Sequence, residues 1–280
     1  MNYNTVWSIL ILHMFKLSDI SNKQKKLLIS NVLLILAVLL LVGGIIYLSV
    51  DIYNRHKREA VIEDAATNMD QVIAQNAAVI EAAGGDDSAV AEPVMTLIVD
   101  PSELEVNGEE YDFYDDDYYI QQALNAQRDQ VNQEMDDTYT GYLTLQGVGM
   151  LDIPCIDLHV PIWETTNSDT LRYGVGHYVN SVSPGAVGNC TITGHHMLKY
   201  GSIFNRLEEV GIGDIINITD LLGHQYTYFV DEIQVVTAEE MLNHVAGGLT
   251  DTRQVTLITC VYTDTGKMRL LVIGHIQDGT

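Results

Sequence analysis

The stretch Val255-Thr256-Leu257-Ile258-Thr259-Cys260 is followed, nine residues after its cysteine, by Arg269 within Met268-Arg269-Leu270-Leu271-Val272-Ile273-Gly274. Two apolar runs, rich in β-branched residues and bounded by turn formers, read as neighbouring strands. The connecting residues 261–268 include Asp264 and Gly266, so a hairpin is predicted that folds Arg269 back towards Cys260. A thiol attacks as its thiolate, and a guanidinium beside it favours both that anion and a later oxyanion. Upstream, Asn189-Cys190-Thr191-Ile192-Thr193-Gly194-His195-His196 reads as a further strand that delivers a histidine at its end. Cysteine, histidine and arginine at strand ends form a candidate nucleophile, acid/base and oxyanion stabiliser.

Working outward, the texture from Gly141 onward is one of short β-type runs punctuated by Gly, Pro, Asn and Asp. The runs are 141–148, 151–157, 159–163, 189–195, 214–219, 225–236, 255–260 and 269–276. Eight short strands, with a helix near 201–209 and another near 238–244, predict a mainly β fold closed into an eight-stranded β-barrel. Residues 141–280 are enough to bury a sizeable core.

The first half of the chain has a different character. Residues 1–26 form a short head carrying Lys16, Lys23, Lys25 and Lys26, and residues 27–50 hold no charge and are dominated by Leu, Ile and Val. At 1.5 Å per residue such a run reaches across a hydrocarbon core of roughly 30 Å, so a transmembrane helix is predicted. A signal peptide shares the pattern of basic head and apolar core, but this run is longer than an ordinary signal core and lacks a small-x-small cleavage site. Arg55, Lys57 and Arg58 beyond the span nearly balance the lysines before it, so the positive-inside rule is weak here. The large acidic part that follows argues for an external C-terminal region.

Residues 59–140 carry twenty-one Asp and Glu against the single base Arg128, whereas 141–280 carry fifteen against six, within a net charge of −24. Such acidity disfavours DNA or RNA as a partner. In 59–83, Ile62, Ala65, Met69, Val72 or Ile73, Ala77 and Ile80 recur at helical spacing and Gly84-Gly85 would end the helix; it reads equally as a packed element or a solvated stalk. The run Asp115-Asp116-Asp117 lacks the alternation and turn glycine of a calcium loop and reads as solvated charge.

The ordered set around the cysteine resembles the sortases, membrane-anchored cysteine transpeptidases of Gram-positive bacteria. Thr256-Leu257-Ile258-Thr259-Cys260, an arginine opening the last strand, and Thr193-Gly194-His195 carry the likeness. So do Ile153-Pro154-Cys155-Ile156, Val160-Pro161-Ile162, Leu171-Arg172-Tyr173-Gly174-Val175-Gly176-His177 and Gly201-Ser202-Ile203-Phe204. The resemblance covers about residues 141–280. It implies a sortase-type barrel preceded by a cytoplasmic head (1–26), a membrane helix (27–50) and an acidic extracellular helix and linker (51–140). It further implies Cys260 as nucleophile, His195 as acid/base, Arg269 as charge stabiliser and Thr259 as oxyanion or substrate support. No cofactor is required. The implied partners are surface proteins or pilins bearing an LPxTG-like sorting signal, with a cell-wall precursor or pilin lysine amine as acceptor. The Val160-Pro161-Ile162 run, the Gly174–His177 turn and the Cys-to-Arg spacing resemble the pilin-polymerising group. The single N-terminal anchor, and Asp100-Pro101 too far from the barrel for that group's lid, resemble anchoring sortases instead.

Other readings remain beside it. A membrane-tethered barrel used only for binding or adhesion would tolerate loss of Cys260, His195 or Arg269, and a papain-like hydrolase would need a differently ordered Cys, His and Asn. A zinc site from His195, His196 and Cys260 lacks ligand spacing. Cys155 and Cys190 read as buried, inert thiols in apolar strands, with a disulfide between them left open.

Overall fold

The computed structural model describes residues 21–91, 93–99, 143–166, 170–196, 203–264 and 266–277. The first twenty residues of the basic head, the Asp100-Pro101 pair, the acidic run 111–119 and residues 197–202 lie outside the described residues. The chain divides into two compact units, Met1–Arg55 and His56–Thr280. Helix α1 (Asn22–Ala82) begins in the first. Its stretch Lys26–Val50 has a mean hydropathy of 2.9 and none of it is buried. By length and composition it is a candidate membrane span, a test that a signal sequence also passes.

Within the second unit, the later turns of α1 are a packed element and not a solvated stalk. Ala65, Ala66 and Met69 are buried in one cluster with Met150, Trp163 and Tyr173. Asn76 donates to Leu221 O at 2.8 Å, and His159 bridges Asp152 on the following sheet (2.6 Å) and Asp70 on the helix (3.0 Å). The helix stops where the sequence predicts: Gly84 and Gly85 take φ of +80° and +90°, and Gly85 N reaches back to Ile80 O at 2.8 Å. Left-handed glycines of this kind satisfy the last carbonyls of a helix.

Among the described residues nine strands follow: β1 (Thr96–Val99), β2 (Leu143–Ile153), β3 (Leu158–Glu164), β4 (Val175–His177), β5 (Gly188–Thr193), β6 (Ile215–Asp220), β7 (Gln225–Val236), β8 (Arg253–Thr263) and β9 (Gly266–His275). Their order is β1-β2-β3-β4-β5-β8-β9-β7-β6, and β6 pairs back onto β2. Eight strands thus close into a ring, with β1 laid on the first residues of β2. The predicted runs 141–148 and 151–157 merge into one strand over Leu143–Ile153, because Gly147 and Gly149 allow a register shift and not a turn, and the second run leaves the strand at the 3-10 turn Pro154–Ile156. The segment read as a turn, Val175–His177, supplies the missing strand by pairing in parallel with β3. The helix expected near 201–209 is a 3-10 helix, Phe204–Glu209. The one near 238–244 is α2 (Ala238–Met241), whose Thr237 and Glu240 form a reciprocal capping box, followed by a 3-10 turn, Leu242–His244.

Alternation sorts the ring walls. Val255, Leu257 and Val261 on β8, and Leu270 and Val272 on β9, face the interior core. Ile258, Leu271 and Ile273 face outward and are covered by Met241 and Val245. These strands are therefore largely apolar on both faces, which is why their sequence is rich in Val, Leu and Ile, with Thr256 and Thr259 as buried hydroxyls among them.

A buried histidine lies in the wall. His177 is 5% exposed; its Nδ1 faces the Glu164 carboxylate at 3.1 Å and its Nε2 faces Val182 O at 3.0 Å. Ser181 Oγ also sits 3.0 Å from Nε2, but its own proton goes to Tyr178 O. Acceptors therefore face both ring nitrogens, and the ring is held as imidazolium. Burial by itself would push the imidazole down, but the Cys190 thiol and the Glu164 carboxylate outweigh that and lift it to about 10. Since the folded value lies above the ordinary 6.5, this stabilisation is full below that pH and is lost as the pH climbs through about 10. His177→Gln, neutral throughout, is expected to cost about 1.5–3 kcal/mol at neutral pH. Urea unfolding at a series of pH values should show the gap to the parent closing as the medium becomes alkaline.

Candidate active site

Strands β8 and β9 form an antiparallel hairpin in which Cys260 is the direct partner of Arg269. Directly opposed residues project from the same face of a sheet, their Cβ atoms about 4.5–5.5 Å apart. That face is the outer one, shared with Ile258, Leu271 and Ile273. The predicted hairpin thus returns Arg269 to Cys260, as the strand reading required.

The histidine arrives from the other side. Strand β5 runs parallel to β8, with Thr191 level with Thr256 and Thr193 level with Ile258. Gly194 N extends this ladder by donating to Ile258 O at 3.1 Å. Carrying the same register onward brings His195 level with Cys260. Cys190 and Ile192 point into the core, while the Thr191 hydroxyl reaches out to Val245 O at 3.0 Å, so odd positions of β5 face outward. Strand order β5-β8-β9 therefore runs the end of β5, two residues before His195, alongside the stretch of β8 that leads to the directly paired Cys260 and Arg269.

Burial differs among them. Arg269 is 3% exposed, and its guanidinium donates to Met268 O at 3.3 Å. Cys260 and His195 are half-buried. The structure thus offers a partly accessible thiol beside a cation largely withdrawn from water, where a fixed charge acts more strongly than in solvent.

Thr259 lies on the opposite face from Cys260. It is 3% exposed and its hydroxyl donates to Gly194 O at 2.8 Å. The backbone around His195 is held at further points. Phe204 N donates to His195 O at 3.2 Å, and His196 forms an isolated antiparallel bridge with Ile203. Ile203 sits at φ 47°, ψ −118°, a conformation costing of order 1–3 kcal/mol for a β-branched residue, and the bridge and its burial hold it there.

Gly194 is required by packing. A Cβ there would lie 2.5 and 2.9 Å from the Phe204 ring, and Phe204 is fully buried. Gly194→Ala is expected to cost about 1–3 kcal/mol through overpacking, read as a lowered thermal unfolding midpoint. The Gly194–Phe204 fit was not visible in the sequence beyond a glycine beside a histidine, since the two residues meet only through the fold.

The cysteines depart in part from expectation. None of the three is in a disulfide. Cys190 is buried in β5 as predicted, but Cys155 is exposed on the 3-10 turn Pro154–Ile156 and not buried in a strand. Pro154 ends the strand there because it cannot donate to the ladder. Partial burial and the neighbouring Asp214 carboxylate push the Cys155 thiol up to about 11, which keeps it unreactive at neutral pH. Among the described residues no group of three His, Cys, Asp or Glu side chains could hold a metal ion.

Comparison with known proteins bears on this arrangement. The Sortase domain family model matches residues 151–277. Sortase D of Bacillus subtilis (strain 168) is 33% identical over 97 residues, covering 35% of this chain and 46% of that protein. The putative sortase YwpE of the same organism is 30% identical over 94 residues, covering 32% of this chain and 85% of that protein. Among solved structures, sortase C-1 from Actinomyces oris shares 30% identity with a TM-score of 0.44, covering 54% of this chain and 79% of that one. The chain spans about half the length of several curated relatives it matches, 46% of Sortase D and 60% of Sortase A from Bacillus anthracis. Covering 85% of the YwpE relative at 30% identity, and matched by the family model over residues 151–277, this chain belongs to the sortase family.

Proposed function

We propose that this protein is a sortase-type cysteine transpeptidase that cleaves a C-terminal LPxTG-like sorting signal and transfers the shortened protein to an amine. What supports this reading is the direct pairing of Cys260 with Arg269, together with the parallel β5–β8 register that, carried two residues past Thr193, reaches His195 opposite Cys260.

In the first half-reaction, Cys260 Sγ as thiolate attacks the carbonyl carbon of the Thr–Gly-like bond. Arg269, directly across the hairpin, favours the thiolate and then opposes the charge that develops on the carbonyl oxygen. As the C–N bond breaks, protonated His195 gives its proton to the leaving amine, and a thioester on Cys260 remains. In the second half, an amine attacks the thioester carbon and loses a proton to His195. The C–S bond then breaks, regenerating the thiolate. The acceptor is a cell-wall precursor amine, which anchors the substrate protein, or a pilin lysine, which extends a fibre. The ring of β2 to β9 is the sortase-type barrel that holds these groups, and residues 27–50 anchor the enzyme in the membrane with the catalytic unit outside.

The test is mass spectrometry of the full chain in detergent with LPxTG-like and NPxTN-like peptides and an amine nucleophile. A peptide thioester on Cys260 that amine resolves faster than water is the expected result. Absence of any adduct across the panel, with Cys260 still open to alkylation, would move the protein to the reading of a barrel used for binding.

A further inference from the structure

Thr259 is next to Cys260 in sequence but serves the other side of the sheet. Its alternate neighbours Leu257 and Val261 both belong to the interior core, and it is 3% exposed. A hydroxyl has one proton to give, and that of Thr259 is given to Gly194 O at 2.8 Å. It is therefore not available as a donor to an oxyanion on the face that carries Cys260.

The carbonyl it holds belongs to the peptide that joins Gly194 to His195. A peptide unit is planar, so fixing Gly194 O also fixes the plane from which the His195 Cα departs. Two backbone bonds flank this one: Gly194 N to Ile258 O at 3.1 Å and Phe204 N to His195 O at 3.2 Å. We propose that Thr259 is a positioning residue for His195, its buried hydroxyl locking the Gly194–His195 peptide so that the imidazole stays level with Cys260. One β8 dipeptide then supplies the nucleophile from its outer face and the orienter of the acid/base from its inner face, and a tilt of β8 moves both together. This inference rests on the reading of Cys260 and His195 as a working pair.

The experiment uses the full chain in detergent and needs no peptide substrate. The rate of Cys260 alkylation by iodoacetamide is followed against pH by peptide-resolved mass spectrometry, which reads Cys155 separately. His195→Ala establishes how the profile changes when the imidazole is lost. Thr259→Val, nearly isosteric but without the hydroxyl, is expected to change the neutral-pH rate at least about threefold in the same direction, and Thr259→Ser to restore the parent profile. A Thr259→Val profile that overlays the parent, with only the unfolding midpoint lowered, would reduce Thr259 to a packing residue and overturn the proposal. If the valine variant does not fold, Thr259→Ala compared with Thr259→Ser decides the same question. A His195→Ala profile identical to the parent would instead sink the pairing of Cys260 with His195, and this inference with it.

Discussion

Cys260→Ala is expected to lose thioester formation entirely and to lower amine transfer by roughly four to six orders of magnitude, as removal of a covalent nucleophile does. The fold should survive, because the residue is half-buried on the outer face of β8 and the interior side chains Leu257 and Val261 are untouched. Parent-like thermal unfolding of the variant would separate lost chemistry from lost structure. The companion changes differ in kind. His195→Ala removes proton transfer, worth about 10²–10⁴-fold. Arg269→Lys keeps a charge but loses the planar fork, and it places a more strongly hydrated ammonium in a site that is 3% exposed. Its transfer rate should therefore fall although the net charge is unchanged. Mass spectrometry of the peptide adduct and of the amine product measures all three. Equal transfer by the parent and Cys260→Ala would remove this chain from covalent catalysis.

Met69→Ala is expected to destabilise the second unit by about 2–5 kcal/mol, the range for truncating a buried methionine. Met69 is fully buried in one cluster with Trp163, Tyr173, Met95 and Leu145. It lies so close to the sheet that a Cβ on Gly147 would meet its methyl at 2.7 Å. For a unit of this size the loss corresponds to a midpoint lower by roughly 5–15 °C. The ion pairs of His159 with Asp70 and Asp152 also join the helix to the sheet, but they are about half exposed and contribute little beside the apolar cluster. Asp70→Asn should accordingly shift the midpoint far less than Met69→Ala. An unchanged midpoint in Met69→Ala would return the helix to the role of a stalk.

What the sequence determined by itself is local or periodic in origin. β8 and β9 were legible because both their faces are buried and their runs are dominated by Val, Leu, Ile and β-branched Thr. The hairpin between them followed from a short loop with Asp264 and Gly266, which is why the meeting of Cys260 and Arg269 could be anticipated. The end of α1 at Gly84-Gly85 was legible for the same reason, since it depends on backbone conformation that glycine adopts freely.

Tertiary structure alone decided the rest. The parallel pairing of β5 with β8 joins residues far apart in the chain, and no local rule sets that register, yet it is what carries the chain leading into His195 alongside the stretch leading into Cys260. The strand Val175–His177 is too short to read by pattern and exists because β3 and β5 present open edges to it. The amphipathic turns of α1 were equally compatible with water or a partner until the cluster of Trp163, Tyr173 and Met150 gave them a surface to cover. Thr259 looked like any β-branched strand residue, and only the approach of Gly194 O gave its hydroxyl a task. Hydrogen-bond partners and apolar contacts across the chain are set by how distant segments meet, and that meeting is a property of the whole fold.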